Sequence, residues 1–135
     1  MNRQPFSWLR IAVVAGALAA AGCAGISASS LQPGVSTLPE IEAALGAPAM
    51  VWKNPDGSAQ LAYPFGPSGT QTFMVFVGAD GKFQRITGVL NETQFRLVQP
   101  GMTKEQVLRM LGPSDSLLTQ AFPRTDMLTW TWLYC

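Results

Sequence analysis

Cys23 is the residue whose surroundings are best suited to a chemical reaction. It follows the small residues AAG, which end the uncharged apolar run IAVVAGALAAAG, and Arg3 and Arg10 precede this run. A basic start, a short apolar run and small residues are typical of a secretory signal peptide, whereas a membrane span would need about 20 apolar residues. Small residues directly before a cysteine resemble a bacterial lipobox. We therefore expect residues 1–22 to be a lipoprotein signal peptide, cleaved from a Cys23 that carries fatty-acyl chains such as palmitate.

The acylated cysteine would decide where the protein works. Several acyl chains give stable anchoring, because each buried methylene contributes about 0.8 kcal/mol. Residue 24 is Ala, not the Asp that retains many such proteins in the inner membrane. We therefore expect a lipid anchor in the outer membrane, a protein that faces the periplasm, and a short polar tether at residues 23–30. The alternative is an ordinary secretory signal with an accidental cysteine.

The sequence has few of the residues that catalysis commonly uses. The chain has no His, which is the commonest general base and a common metal ligand. The eight acidic residues are scattered; Glu40 and Glu42 are close in sequence, but side chains two apart on a helix do not face each other. The net charge is +1, and it becomes −1 without the two signal-peptide arginines, which gives no electrostatic case for nucleic acid. We expect no enzyme, no cofactor, no metal site and no nucleic-acid partner.

The stretch 37–46 predicts a short helix. Thr37 and Glu40 have the spacing of a capping box, and Gly46 predicts the end of the helix. Its apolar face would consist of Ile41, Ala44 and Leu45. Because two or three turns are not stable alone, this helix must pack on another element.

The residues that follow predict that other element, a small antiparallel sheet. The sequences NPDG at 54–57 and ADGK at 79–82 are turn signals with apolar runs on each side. The runs 61–65, 72–77 and 83–89 are rich in β-branched and aromatic residues. They predict a short antiparallel meander with one helix laid on it.

Residues 103–112 repeat the features of 37–46, 66 positions later and without a gap. Thr103 and Gln106 form the second capping box, and Gly112 repeats the stop. The repeated apolar face would consist of Val107, Met110 and Leu111. We call the two repeated stretches, residues 31–48 and 98–115, the first and second cassettes. The residues that lead into the second cassette, from position 91, are expected to be a polar connecting loop.

The repeat predicts an α+β protein with two tandem modules of short helices on a small antiparallel sheet. The first module would cover residues 31–90 and the second 91–135. The run MLTWTWLYC at 127–135 would be a single strand that corresponds to QLAYPF in the first module. No hairpin follows it, so we expect that the second module is incomplete, or that the chain is a shortened version of a longer one.

The predicted last strand carries a stripe of aromatic residues: Trp130, Trp132 and Tyr134. One interpretation places this stripe in the core, under the second helix. The other makes it a contact surface for a partner, because exposed Trp and Tyr are common anchors at interfaces. A strand with an open edge could also pair with a strand of another chain.

The second cassette and the aromatic strand resemble the BamE (SmpA/OmlA) family of outer-membrane lipoproteins. The matching residues are Val98, Gly101, Met102, Thr103, Val107, Leu111, Gly112, Pro113, Trp132 and Tyr134. The first cassette matches at Leu31, Gly34, Val35, Ile41, Leu45, Gly46 and Pro48. The resemblance implies two helices against a three-stranded antiparallel sheet. It also implies a scaffold or binding role beside the machine that inserts β-barrel proteins into the outer membrane.

These observations predict a non-catalytic binding or scaffold subunit in outer-membrane protein assembly or envelope maintenance. Its partners would be the membrane, through the lipid on Cys23, and proteins of the barrel-assembly machine. The same module also occurs in tandem in secreted proteins that inhibit β-lactamases, so one fold supports more than one binding function. The alternative is therefore an inhibitor or regulator of a periplasmic enzyme.

Overall fold

A computed structural model describes residues 28–66 and 69–134 of the chain. The predicted signal peptide, residues 1–22, lies outside the described residues, and so do Cys23, the first part of the tether and Cys135. In the part of the chain that is described, no helix is both long enough and apolar enough to cross a membrane. The first described element is a 3-10 turn, Ala28–Ser30, which leads into the fold.

Helix α1, Leu38–Leu45, forms where the capping box predicts it. The backbone N–H and the hydroxyl of Thr37 both donate to the Glu40 carboxylate, at 2.6 and 3.0 Å. These hydrogen bonds, the backbone one first, hold the pKa of Glu40 below its ordinary value. Gly46 ends the helix with φ 85° and ψ −170°, a conformation that essentially only glycine adopts.

Four antiparallel strands form the main sheet, in the order β1-β2-β3-β4. Their bounds are Met50–Lys53, Ala59–Phe65, Gln71–Val77 and Phe83–Gly88. Both turns lie where the sequence predicts them. The Asn54 N–H donates to the Ser58 carbonyl at 2.8 Å in the first turn, and the Gly78 N–H donates to the Lys82 carbonyl at 2.8 Å in the second. Strand β1, just before the first turn, adds a fourth strand to the meander.

The main sheet is covered on both faces. Neighbouring residues of a strand point to opposite faces, so Leu61 and Tyr63 lie on one face of β2 and Ala62 on the other. Helix α1 packs on the first face, where Ile41 and Leu45 join Leu61 and Tyr63 in one buried cluster. The buried cluster on the second face consists of Trp52, Ala62, Met74 and Val89.

Helix α3, Lys104–Leu111, covers the second face. Arg109 fastens it to the hairpin of β1 and β2. The Arg109 Nη1 donates to Asn54 Oδ1 at 3.0 Å, and the Arg109 carbonyl accepts from Gln60 Nε2 at 2.5 Å. The Arg109 guanidinium also lies 5.9 Å from the centre of the Trp52 ring. This end of the helix is therefore tied to the main sheet by polar as well as apolar contacts.

The buried side of α3 differs from the predicted one. Leu111 is fully buried, at 2% exposure, but Val107 and Met110 are only half-buried. Leu108, which was not predicted, packs against the cluster on the second face. The prediction had the helix cover an aromatic strand, whereas Leu108 of the helix packs on the main sheet.

One turn of helix, α2 at Glu92–Phe95, takes the place of part of the predicted connecting loop. The Asn91 side chain caps it by accepting from the Gln94 N–H at 3.1 Å. Helix α2 contacts α3. The prediction of an irregular connection was wrong here, because a single turn is too short for an apolar period to reveal it.

Two short strands, β5 at Gln120–Phe122 and β6 at Met127–Thr129, form a separate hairpin after α3. The prediction of one continuous strand through residue 135 was therefore wrong. Beyond Thr129 the chain bonds to the loop after α3, where the Asp115 N–H donates to the Thr131 carbonyl at 2.9 Å. A strand extends only where a neighbouring backbone continues the ladder, and the ladder of β5 and β6 ends with the pairing of Gln120 and Thr129.

The architecture is α+β, as the sequence predicts, with short helices packed on a small antiparallel sheet. Its division into modules at 31–90 and 91–135 stays a prediction. The two copies of the repeated cassette, α1 and α3, cover opposite faces of the same main sheet. The sheet also has four strands, one more than the family resemblance implies.

Candidate binding surface

The aromatic stripe predicted from the sequence lies directly after β6. Trp130 and Trp132 are half-buried and pack edge to face, with ring centres 6.0 Å apart. Tyr134 is half exposed and packs on Phe95 of α2 at 5.0 Å. The three residues therefore share a segment that runs past α2 and α3, but they do not share one environment.

Trp132 helps to fix this segment to the fold. Its indole N–H donates to the Gly112 carbonyl at 3.1 Å, at the end of α3. The Lys104 ammonium lies 5.9 Å from the centre of the Trp130 ring, near the start of the same helix. The segment thus contacts both ends of α3, which makes Trp132 chiefly structural and leaves Tyr134 the most exposed member of the stripe.

Many apolar side chains are exposed around this stripe. We call them the C-terminal apolar surface, and they are Leu117, Leu118, Phe122, Met127, Leu128, Leu133 and Tyr134. They are seven of the eleven large hydrophobic residues that are exposed in the described part of the chain, although residues 117–134 are only a small share of it. Exposed apolar side chains that adjoin one another are typical of interaction sites. On the hairpin, Phe122 and Met127 adjoin on one face, and Leu128 lies on the other.

The β5–β6 hairpin positions much of this surface. Phe122 and Met127 are directly paired across the two strands, so their side chains lie on the same face. Both are exposed, at 45% and 57%. A groove of about 360 Å³ lies between this hairpin and Lys104, and Asp126 lies beside it in the hairpin turn. The groove has a mixed lining, in which apolar side chains of the hairpin lie beside one positive and one negative group.

In the described residues no three His, Cys, Asp or Glu side chains come together in a way that could hold a metal ion. The one strongly shifted pKa there belongs to Tyr63, in the core under α1; burial, and then the charge of Glu42, raise it to about 12. A buried phenol that stays protonated is a property of the core and not of the C-terminal surface.

Sequence reasoning found the stripe but missed the hairpin residues beside it. Phe122 and Met127 lie in strands of three residues, which are too short to show an alternation of apolar and polar side chains. A usable signal was the run FPRTDM at 122–127, in which Pro and Asp between two apolar residues favour a turn. Trp52, an aromatic residue of the main sheet, is buried with Met74 and takes no part in this surface.

No family model, curated protein or solved structure matches this chain.

Proposed function

We propose that this protein is a lipid-anchored, periplasm-facing protein of the outer membrane that binds other envelope proteins without catalysis. It would act as a binding or scaffold subunit in outer-membrane protein assembly or envelope maintenance. The observation that carries this proposal is the C-terminal apolar surface, which includes exposed residues on the β5–β6 hairpin and Tyr134 after it.

Three further features support the proposal. The lipobox before Cys23 supplies the anchor and the cellular compartment. The resemblance of the second cassette to the BamE family supplies the type of partner, a subunit of the barrel-assembly machine. The sequence has no His, so the commonest acid–base and nucleophile-activating chemistry is missing, which favours binding over catalysis.

The apolar surface would contact its partner through a small buried centre. At protein interfaces a few aromatic and large apolar side chains carry most of the binding free energy, and polar groups at the rim exclude water from them. Phe122, Met127 and Tyr134 are suited to the centre, because they are large and exposed. Lys104 and Asp126 flank the groove beside the hairpin and would form part of the rim.

A crosslinked pull-down tests this function. Tagged protein would be crosslinked in isolated outer membranes, and the captured proteins would be identified by mass spectrometry. We expect barrel-assembly subunits in the wild-type sample, and their loss both with Cys23→Ala and with the double variant Phe122→Ser/Met127→Ser. The variant Val51→Ser changes an apolar residue of similar exposure on β1 and should leave capture intact.

The alternative function, inhibition or regulation of a periplasmic enzyme, gives a different result in the same experiment. An inhibitor would capture one soluble enzyme and would hold it equally well in a lipid-free Cys23→Ala protein. Recovery of that kind, or membrane localisation without any assembly subunit, would contradict the assembly role.

A further inference from the structure

We propose that the loop 31–37 and the first residue of α1 form a membrane-facing surface, which rests on the same bilayer that holds the lipid anchor. Val35 and Leu38 would enter the interfacial layer of that bilayer through apolar contact. This inference rests on the lipid anchor of the proposed function, and it adds the orientation of the fold on the membrane.

The length of the tether limits which part of the fold can reach the bilayer. Only four residues, 24–27, lie between Cys23 and Ala28. These five steps along the chain span at most about 18 Å, because an extended chain covers at most about 3.6 Å per residue. From Ala28 onward the chain is part of the fold. The Leu31 N–H donates to the Ala28 carbonyl at 3.1 Å, and the Leu31 side chain is buried in the cluster under α1. The surface around this entry point is therefore the one held closest to the anchor.

The loop at the entry point is held firmly in place. The Gln32 N–H donates to Ser36 Oγ at 2.9 Å, and the Ser36 N–H donates to the Gln32 carbonyl at 3.0 Å. Strand β4 fastens the same loop from the other side. The Phe83 N–H donates to the Ser36 carbonyl at 2.7 Å, and the Phe83 carbonyl accepts from the Gly34 N–H at 2.8 Å. The tether therefore leads into a turn that hydrogen bonds hold from both sides.

This turn presents apolar side chains to solvent. Val35 lies at its tip and is 59% exposed, and Leu38 begins α1 and is 39% exposed. Both side chains stand outside the two buried clusters. Shallow insertion into a membrane interface gives each of them an apolar environment.

The charges near the turn make this contact apolar and not electrostatic. Lys82 pairs with Thr37 as an isolated bridge beside the loop, and it is the nearby cation. Asp80 lies in the same β3–β4 turn, and Glu40 and Glu42 lie on α1. Because acidic groups outnumber the basic one, attraction to anionic lipids is not the driving force. The surface fits the interfacial layer of a zwitterionic bilayer.

The fold offers matched control positions that lie away from the loop 31–37. Val51 is 48% exposed and lies on β1, at the opposite edge of the sheet from β4. Three strand spacings of about 4.8 Å separate those two edges. Leu97 is 51% exposed and follows α2, which contacts α3 on the other face of the sheet. Val51, which pairs with Leu61, lies on the face that α1 covers but at the far edge from the loop 31–37, whereas Leu97 is the control on the other face.

Depth-dependent fluorescence quenching tests the orientation. The full lipidated protein, with Cys135→Ser as background, would carry a single NBD-labelled cysteine from Val35→Cys, Leu38→Cys, Val51→Cys or Leu97→Cys. It would be reconstituted in phosphatidylcholine vesicles that contain nitroxide-labelled lipids. We expect a blue shift and loss of NBD fluorescence at positions 35 and 38, but neither at 51 nor at 97, and we expect high salt to change nothing.

The outcomes separate the orientation from the anchor. Protein that floats with the vesicles, but with labels at 35 and 38 no more quenched than those at 51 and 97, overturns the orientation and leaves the anchor intact. Protein that does not float, and behaves as the Cys23→Ala variant does, overturns the anchor and the orientation together. Quenching at 35 and 38 that disappears in high salt would overturn the apolar contact.

Discussion

At the scale of a single residue, the burial of Tyr63 makes the stability of the protein depend on pH. Its side chain is 2% exposed, and within the described structure its hydroxyl has no hydrogen-bond partner. Burial raises its pKa to about 12, above the value near 10 of an exposed tyrosine. Since the folded protein binds this proton more tightly, the contribution to stability is complete below about pH 10 and is lost as the pH rises through about 12.

We therefore expect Tyr63→Phe to remove part of the alkaline loss of stability. The variant should also be at least as stable as the wild type at neutral pH, because it removes a buried hydroxyl without a partner. Urea unfolding at several pH values between 7 and about 12 measures both effects. Tyr134→Phe changes an exposed tyrosine and serves as the control. An alkaline slope that is the same in wild type and Tyr63→Phe would contradict this account.

At the scale of elements, the glycines that end α1 and α3 have the same place in the repeated sequence but different neighbours in the fold. Gly46 and Gly112 end α1 and α3 with nearly the same backbone angles, φ 85° and 77°, both with ψ −170°. A Cβ on Gly46 would have no neighbour within 4 Å, whereas one on Gly112 would lie 2.6 Å from Thr72 Cγ2. Gly112 therefore not only ends α3 but also allows this helix to approach β3.

We predict that Gly112→Ala destabilises the protein more than Gly46→Ala does. Both variants incur backbone strain of about 1–3 kcal/mol, which nearly cancels in the comparison. Gly112→Ala adds overpacking against Thr72, of about 1–3 kcal/mol. The free energies of unfolding from urea titration give the difference. Equal losses would mean that the contact between the end of α3 and β3 is loose.

Elements with local signals could be predicted from the sequence, and elements defined by distant contacts could not. The capping boxes at Thr37 and Thr103 and the two turns of the main sheet depend on neighbouring residues, and all four were predicted. Helix α2 and strand β5 were missed because each is too short to show a period. The aromatic run was predicted as a strand because it alternates, but a strand also needs a paired neighbour, which only the fold can supply.

The candidate surface divides in the same way. Trp132 and Tyr134 stood out by residue type, but their exposure depends on where α3 packs. Because α3 lies on the main sheet, it leaves the β5–β6 hairpin without a helix over it, and Phe122 and Met127 are exposed as a result. No local pattern in the sequence records which surface a helix covers.

At the scale of the whole molecule, the placement of α3 joins the two halves of the chain. The predicted boundary near residue 90 falls between the main sheet and the helix that covers its second face. Removing α3 would expose a buried apolar cluster that includes Trp52 and Met74. Two independent modules would instead each keep their own core, and they would unfold separately.

We therefore predict that residues 31–134 unfold in one cooperative transition. Leu111→Ala, at a buried position of α3, should lower the stability of that single transition by about 2–5 kcal/mol, because it leaves a cavity at the end of this helix. Calorimetry tests this through the agreement of calorimetric and van't Hoff enthalpies, and fluorescence of Trp52 in a variant that lacks the other tryptophans reports the main sheet directly. Val107→Ala, at a half-buried position of the same helix, is the matched control and should cost less. Two separate transitions, with Trp52 insensitive to Leu111→Ala, would show that the repeated cassettes fold as two modules and that α3 does not stabilise the sheet of the first.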